Sequence, residues 1–160
     1  MNDFNWKIYK HISSFNPESI KIISLLLKDK EALLTLASLI EKETGMVEDR
    51  ARISQVFHKR LSINMRLQTD PTVIYALGAR FDGNLRREDL DIESPYNTYQ
   101  VRGLPPTPIA LPSIAALKAA AHPADTDFLY FVARGDGTSH FSRTLNEHNA
   151  AVRRYQISAK

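Results

Sequence analysis

The chain has 160 residues, of which 43% are hydrophobic and 24% charged, so it can bury the core of one domain. It contains no cysteine, which excludes disulfides, thiol catalysis and cysteine-ligated zinc. The net charge of +3 is too small for the dense basic stripe of a nucleic-acid-binding protein, so we predict no nucleic-acid partner. No apolar run reaches the ~18–20 residues of a membrane span, and the N-terminus lacks the apolar core of a signal peptide.

The first part of the chain, residues 2–30, predicts helical structure in two pieces. Asn16 followed by Pro17 is typical of a helix start, and an apolar stripe follows over residues 20–27. We interpret residues 1–31 as an N-terminal helical segment that carries no chemistry of its own.

An apolar helix is predicted over residues 32–45, with Gly45 as a left-handed stop. Glu41 and Glu43 leave its last turn on opposite shoulders of the apolar stripe, about 160° apart around the axis. Partial burial there raises the pKa of a carboxyl group, as a general acid working near neutral pH requires. Both glutamates also fit as ordinary residues at the boundary of a helix, and periodicity does not decide between these interpretations.

Two further helix starts follow. An acidic first turn predicts a helix over residues 48–61, and residues 58–60 lie off its apolar stripe. We therefore expect His58 to be a solvated surface residue. Asp70 before Pro71 predicts another helix, with the aspartate as the N-cap.

The second half of the chain combines a loop, a helix and a hairpin. Residues 85–103 show no long period and predict a loop with short strands. A proline-rich connection leads to an alanine-rich helix that starts at Ser113. Residues 128–133 and 140–142 predict an antiparallel hairpin, and a capping box at Thr144 predicts the final helix. Helices followed by a small antiparallel sheet indicate a single α+β domain with a mainly helical core.

Four stretches, taken in this order and spacing, resemble one known family. They are Ala37–Glu43, Met65–Tyr75, Pro95–Tyr99 continued by Gly103–Pro106, and Leu117–Pro123. Together they closely resemble the endolytic murein transglycosylases, bacterial enzymes that cut the glycan strands of peptidoglycan. The resemblance runs from residue 32 to residue 155 and implies that residues 32–160 form a catalytic domain.

The resemblance implies that one glutamate does two jobs. It acts as an acid on the leaving sugar oxygen, and then as a base on the C6 hydroxyl of N-acetylmuramic acid, which closes a 1,6-anhydro ring. In this family the glutamate that directly follows an Ala-Ser-aliphatic-aliphatic run is catalytic, and that position is Glu41. Small Ala37, one turn earlier, leaves room for a substrate beside it. Glu43 is expected to orient the surroundings of Glu41 or to pair with a base.

Several polar and aromatic residues are candidates for substrate contacts, because amides and hydroxyls bind sugar hydroxyls and aromatic rings stack on sugar faces. Some have ordinary alternatives: a helix cap for Asp70, packing for the tyrosines and a helix end for His122. With Glu43, the candidates are Gln68, Thr69, Asp70, Tyr96, Asn97, Tyr99 and His122. We predict no cofactor and no metal, since His140 and His148 lie across a predicted strand-to-helix boundary without carboxylates at ligand spacing.

Two other functions stay open on the residues alone. A binding module would hold the glycan without cutting it and would need the groove but not Glu41. A glycoside hydrolase would need a second carboxylate, for which Asp70 and Glu43 are the best candidates.

The family also implies a cellular setting. Its members usually carry an N-terminal membrane anchor and an intervening domain, with the catalytic domain outside the inner membrane. We therefore expect this chain to correspond to the catalytic part alone, with peptidoglycan glycan strands as substrate. The resemblance implies work near penicillin-binding proteins of cell-wall synthesis, and contact with the membrane only through the anchor.

Overall fold

The computed structural model of the protein describes residues 30–157, so the helix start predicted at Asn16 and Pro17 lies outside the described residues. Within the described range the regular structure consists of five α-helices and one β-hairpin, which confirms the predicted α+β class. The helices are α1 (Lys30–Glu43), α2 (Val47–Ser62), α3 (Asp70–Leu77), α4 (Ile114–Ala121) and α5 (Leu145–Val152). The strands are β1 (Tyr130–Ala133) and β2 (Ser139–Ser142). Among these helices, none combines the length and the apolar character needed to cross a membrane.

Helix α1 lies at the centre of the core and packs against both α2 and α4. Leu36, Leu39 and Ile40 have no exposed surface, as expected for a helix that is covered on nearly every side. The prediction of a left-handed stop at Gly45 is wrong: the helix ends at Glu43, and Gly45 has no positive φ. The turn is made instead by Thr44, whose hydroxyl accepts a hydrogen bond of 3.0 Å from the Met46 amide.

Helix α2 is buried on two sides, between the helical core and the hairpin. It packs against α1 and α4 on one side and against β1 on the other. The expectation that His58 is a solvated surface residue is therefore wrong. The His58 side chain is only 4% exposed, and its Nε2 lies 2.9 Å from the carbonyl oxygen of Ala120. Arg60 is buried as well, because the hairpin covers the face that a single apolar stripe would leave in solvent.

The segment between α3 and α4 is a loop with two short 3₁₀ turns, Gly78–Arg80 and Arg87–Asp91. The expected short strands in residues 85–103 are not present there, so that part of the prediction is wrong. Asn97 gives the physical reason. Its fully buried amide donates to the carbonyls of Leu90 at 3.0 Å and Ile92 at 2.8 Å, so a side chain takes the acceptors that a neighbouring strand would pair.

The hairpin and the last helix agree with the sequence. β1 and β2 pair antiparallel, with Phe131 opposite Phe141, so two aromatic rings lie on the same face. The capping box at Thr144 is confirmed: its hydroxyl accepts from the Glu147 amide, and the Glu147 carboxylate accepts from the Thr144 amide, each at 3.2 Å. A single π turn, Arg153–Ile157, follows α5.

Candidate active site

Glu41 and Glu43 leave the end of α1 in different directions and meet different partners. Oε2 of Glu41 accepts two hydrogen bonds from Ser113, one from the backbone amide at 3.1 Å and one from the hydroxyl at 2.5 Å. Nη2 of Arg50 lies 3.8 Å from its other carboxylate oxygen. Because Ser113 is the N-cap of α4, Glu41 joins the end of one core helix to the start of another.

These contacts reverse the expected pKa shift of Glu41. Burial raises the pKa of this carboxyl group, but the two hydrogen bonds from Ser113 and the positive charge of Arg50 together outweigh it. The net pKa is lower than that of a free glutamate, so the predicted upward shift is wrong. A carboxylate held ionised in this way is poorly suited to donate a proton near neutral pH.

Glu43 has the opposite electrostatic environment. It is partly buried, and its carboxylate accepts a hydrogen bond from the hydroxyl of Thr69. Desolvation by burial and the negative charge of Asp70 raise its pKa to about 7, against the opposing effects of the Thr69 hydrogen bond and the positive charge of Arg60. With a pKa of about 7, Glu43 can both donate and accept a proton near neutral pH.

Thr69 is held against Glu43 by a network of hydrogen bonds to Thr98. The Thr69 amide donates to the Thr98 hydroxyl at 3.1 Å, and the Gln68 amide donates to the Thr98 carbonyl at 3.1 Å. The Thr98 hydroxyl also lies 2.8 Å from that of Thr72, in the first turn of α3. Gln68 takes a positive φ of 49°, which is uncommon for a residue other than glycine and is typical of functional loops.

Asp70 and Tyr99 join the same cluster. The Tyr99 hydroxyl donates to the Asp70 carboxylate at 2.5 Å, and burial together with this bond raises the pKa of the tyrosine. The prediction that Asp70 is a helix N-cap is wrong, because Thr69 occupies that position and Asp70 is the first residue of the helix. The aspartate is instead a charged neighbour of Glu43.

The remaining predicted residues have other positions. Tyr96 contacts other residues: its ring centroid lies 4.8 Å from that of exposed Tyr75, and its hydroxyl lies 2.7 Å from that of Thr107. Asn97 shapes the loop through the bonds described above and accepts from the Tyr99 amide at 2.9 Å. His122 is the exposed C-cap of α4. The structure therefore brings together Glu43, Thr69, Asp70 and Tyr99, with Gln68 beside them, and not Glu41.

Sequence reasoning misses three residues: Thr98 and Arg60, which act on this cluster, and Tyr75, whose ring lies against that of Tyr96. Tyr75 and Thr98 both lie inside stretches that carry the family resemblance, so their position was a usable signal. Arg60 gave no such signal, because its burial depends on how the hairpin covers α2.

A cavity of about 460 Å³ opens beside the loop, lined by Asp91, Glu93, Ser94, Pro95, Gln100 and Val101. Neither Glu41 nor Glu43 lines it, so this cavity is separate from the cluster around Glu43. In the part of the chain that the structure describes, no three histidine, aspartate or glutamate side chains come together as a set of metal ligands.

Comparisons with known proteins identify relatives of this chain. The chain is 52% identical over 128 residues to an endolytic murein transglycosylase of Bacillus subtilis, a match that covers 80% of this chain and 35% of that protein. It is 38% identical over 125 residues to an endolytic murein transglycosylase of Streptococcus pneumoniae, covering 75% of this chain and 23% of that protein. The chain thus spans about a third or less of the length of these curated relatives.

A solved structure and a family model both match this chain, and both are described as YceG-like. The crystal structure of a YceG-like protein from Listeria monocytogenes matches with a TM-score of 0.68 and 47% identity, over 74% of this chain and 38% of that one. The model of the YceG-like family matches residues 4–154, which begins upstream of the resemblance drawn from residue 32. Because that match spans nearly the whole chain, the protein belongs to the YceG-like family.

Proposed function

We propose that this chain is the catalytic part of a lytic transglycosylase that cuts within peptidoglycan glycan strands, with Glu43 as the acid and base. The observation that carries the proposal is the environment of Glu43. Its pKa is raised to about 7, and it lies against Thr69 in a cluster with Asp70 and Tyr99, residues remote from it in sequence. Relatives named endolytic murein transglycosylase share this part of the chain.

The reaction needs two proton transfers, and Glu43 takes part in both. Glu43 gives its proton to the oxygen between N-acetylmuramic acid and N-acetylglucosamine as the bond to the muramic C1 breaks. The ionised Glu43 then takes the proton of the C6 hydroxyl, whose oxygen bonds to C1 and closes the 1,6-anhydro ring. No water is consumed, and attack from within one sugar avoids the entropic cost of fixing a second molecule.

In this proposal Glu41 has a structural role. Its carboxylate accepts two hydrogen bonds from Ser113 and faces Arg50, so it is already occupied and ionised. The assignment favoured by the sequence resemblance, Glu41 as the acid, would need this carboxylate to bind a proton that its partners disfavour. We therefore place the catalytic role on Glu43, two residues further along.

The glycan would lie along the loop side of α3. Gln68 is exposed beside Thr69, just before α3, and the ring of Tyr75, from α3, lies 4.8 Å from the ring of Tyr96, from the loop. Exposed amide groups and ring faces are the groups that bind sugar hydroxyls and sugar faces. Asn97 and His122 are left without a substrate contact in this arrangement.

Matched substitutions test the assignment. Glu43→Gln keeps the shape and removes the transferable proton, so turnover on purified glycan strands should fall by about 10²–10⁴. Glu41→Gln should keep most of the turnover of a folded sample. If Glu41→Gln is inactive while folded and Glu43→Gln is active, the two roles must be exchanged. Binding of glycan strands without any turnover by the wild-type chain would instead favour a glycan-binding module.

The product distinguishes the transglycosylase from a hydrolase that pairs Glu43 with Asp70, whose charge already acts on it. The transglycosylase leaves 1,6-anhydromuramic ends, which are one water lighter than the reducing ends left by hydrolysis. Mass spectrometry of digested strands measures this directly. Reducing muramic ends as the main product would establish the two-carboxylate hydrolase.

We also propose that the protein works in the bacterial cell envelope, outside the inner membrane, near penicillin-binding proteins. The support is the shared chain with murein transglycosylases, since their polymer lies in that compartment. Labelling of the full-length gene product from outside the inner membrane would test the location. Co-purification with a penicillin-binding protein would test the partner.

A further inference from the structure

Arg60, in the last turn of α2, is a buried cation with an unusual set of partners. It is 6% exposed, its Nε donates to the carbonyl of Leu129 at 2.8 Å, and its Nη1 donates to the carbonyl of Leu67 at 2.6 Å. Its guanidinium lies over the Tyr130 ring, 5.3 Å from the centroid. Within residues 30–157 it forms no direct ion pair, although buried arginines usually face a carboxylate.

The position of Arg60 links it to the proposed acid. Leu67, which accepts one of its hydrogen bonds, is two residues before Thr69, which donates to Glu43. The groups that favour the charged form of Arg60 are Tyr130, Tyr99 and Glu43, and only Glu43 is a carboxylate. Glu43 is therefore the carboxylate whose ionised form the charge of Arg60 favours, and the Leu67–Thr69 segment connects the two side chains.

We propose that Arg60 is a positioning residue that stabilises the ionised form of Glu43 between its two proton transfers. This rests on the proposed function, in which Glu43 loses a proton to the leaving oxygen and regains one from the C6 hydroxyl. The anion exists only between these steps, so a fixed cation lowers the energy of the part of the reaction where charge develops. Hydrogen bonds to two backbone carbonyls hold the guanidinium in place, so it does not need to move when the negative charge on Glu43 develops.

Three segments present charged or titratable groups to Glu43. Asp70, at the start of α3, disfavours the ionised glutamate, and Arg60, from α2, favours it. Tyr99, from the loop, donates its hydroxyl to Asp70 and contributes a neutral group. Removing Arg60 would leave the negative charge of Asp70 unopposed by a cation, so the pKa of Glu43 should rise further.

The test measures the titration of Glu43 directly. The full chain is labelled with ¹³C at the glutamate carboxyl groups, and the Glu43 signal is assigned by its loss in Glu43→Gln. We expect Arg60→Met and Arg60→Gln to move the Glu43 midpoint upward by about one pH unit, as for loss of a nearby opposite charge. The alkaline limb of kcat/KM on glycan strands should move upward with it. Arg60→Lys keeps the charge and should move the midpoint much less.

Arg52→Met is the matched control. Arg52 lies on the same helix over another aromatic ring, 5.7 Å from the Phe141 centroid, but its nearest carboxylate is Asp49 at 3.7 Å. Its removal should leave the Glu43 midpoint and the pH profile unchanged.

The outcomes separate this inference from the proposed function. If Arg60→Met and Arg60→Gln lower activity while the Glu43 midpoint stays in place, Arg60 is only structural and the inference is overturned. Failure of both neutral variants to fold, as judged by circular dichroism, would overturn it for the same reason. Wild-type turnover in Glu43→Gln would instead overturn the proposed function, whatever the midpoint does in the arginine variants.

Discussion

Glu41 and Glu43 occupy the same turn of one helix, yet their pKa values shift in opposite directions. The difference comes from what each carboxylate meets and not from its place in the sequence. Glu41 meets a backbone amide, a hydroxyl and a guanidinium, which all favour the anion. Glu43 is partly buried and meets the Thr69 hydroxyl and the opposing charges of Asp70 and Arg60, with burial and Asp70 outweighing the rest. A separation of about 160° around the helix axis decides which neighbours each one reaches.

Glu43→Gln should stabilise the protein at alkaline pH. The pKa of Glu43 is about 7 in the folded chain against 4.5 for the free side chain, so folding favours its proton. That contribution is complete below the unfolded pKa and is lost as pH rises through the window up to about 7. Glutamine is neutral at every pH and can still accept from Thr69. We expect Glu43→Gln to exceed wild type in unfolding free energy at pH 8, by on the order of 1–3 kcal/mol.

Urea denaturation of both proteins at pH 5 and pH 8 measures this. The advantage of the variant should grow between the two pH values. An equal difference at both would mean that Glu43 has no raised pKa in the folded chain, and would remove the main support for its catalytic role. A gain in stability from replacing a catalytic group is common, since such groups are held in unfavourable surroundings.

At the scale of elements, the start of α4 depends on the end of α1. Ser113 caps α4 by accepting from the Ala116 amide at 3.2 Å, and the same serine donates its hydroxyl to Glu41. The Glu41 carboxylate also lies where the positive end of the α4 dipole favours negative charge. The two helices that form most of the core are thus joined by polar groups at one end.

Glu41→Gln should therefore destabilise the fold near neutral pH, by about 1 kcal/mol. Because the folded-state pKa of Glu41 is lowered, its contribution is present above the unfolded pKa and is lost as pH falls through the folded value. The difference from wild type should be clear at pH 7 and small at pH 3 in chemical denaturation. Glu93→Gln, at an exposed loop position, is the control and should match wild type at both. A deficit of equal size at pH 3 would contradict the charge-based account.

Most of the elements could be predicted because their causes are local. The capping box at Thr144, the cap at Ser113 and the alternating aromatic hairpin each depend on residues within a few positions of one another. The errors fall where a distant segment intervenes. His58 was expected in solvent because nothing in its own helix shows that α4 supplies a carbonyl beside it. The loop at 85–103 was expected to contain strands because one buried amide, that of Asn97, replaces their pairing.

At the scale of the whole molecule, the candidate site is assembled from four segments. Glu43 comes from the end of α1, Arg60 from α2, Thr69 and Asp70 from the start of α3, and Tyr99 from the loop. Periodicity identified the glutamates as a pair but could not choose between them, because the choice depends on contacts 26 residues away at Thr69 and 72 residues away at Ser113. The family resemblance includes the stretches that supply Glu43, Thr69, Asp70 and Tyr99, but it favours Glu41 as the acid, whereas our proposal on the contacts and pKa is Glu43.

The hydrogen bonds between the loop after α3 and the start of α3 should depend on one hydroxyl, that of the fully buried Thr98. Thr98→Val keeps the shape but removes the acceptor of the Thr69 amide and the partner of the Thr72 hydroxyl. An unpaired buried amide costs about 1–3 kcal/mol, so unfolding free energy should fall by that amount. Turnover on glycan strands should fall as well, because Thr69 no longer has a fixed position against Glu43.

Two comparisons make this last prediction specific. Thr98→Ser retains the hydroxyl and should recover most of both losses. Thr138→Val removes a hydroxyl that donates only to Asp136 inside the hairpin loop, and it should leave turnover unchanged. Because each measurement is made on a folded sample, a loss of stability in Thr98→Val with full turnover would show that Glu43 does not need Thr69 for its reaction. The contacts of Thr98 would then contribute to stability only, and the groups that assist Glu43 would have to be Asp70 and Tyr99 rather than Thr69.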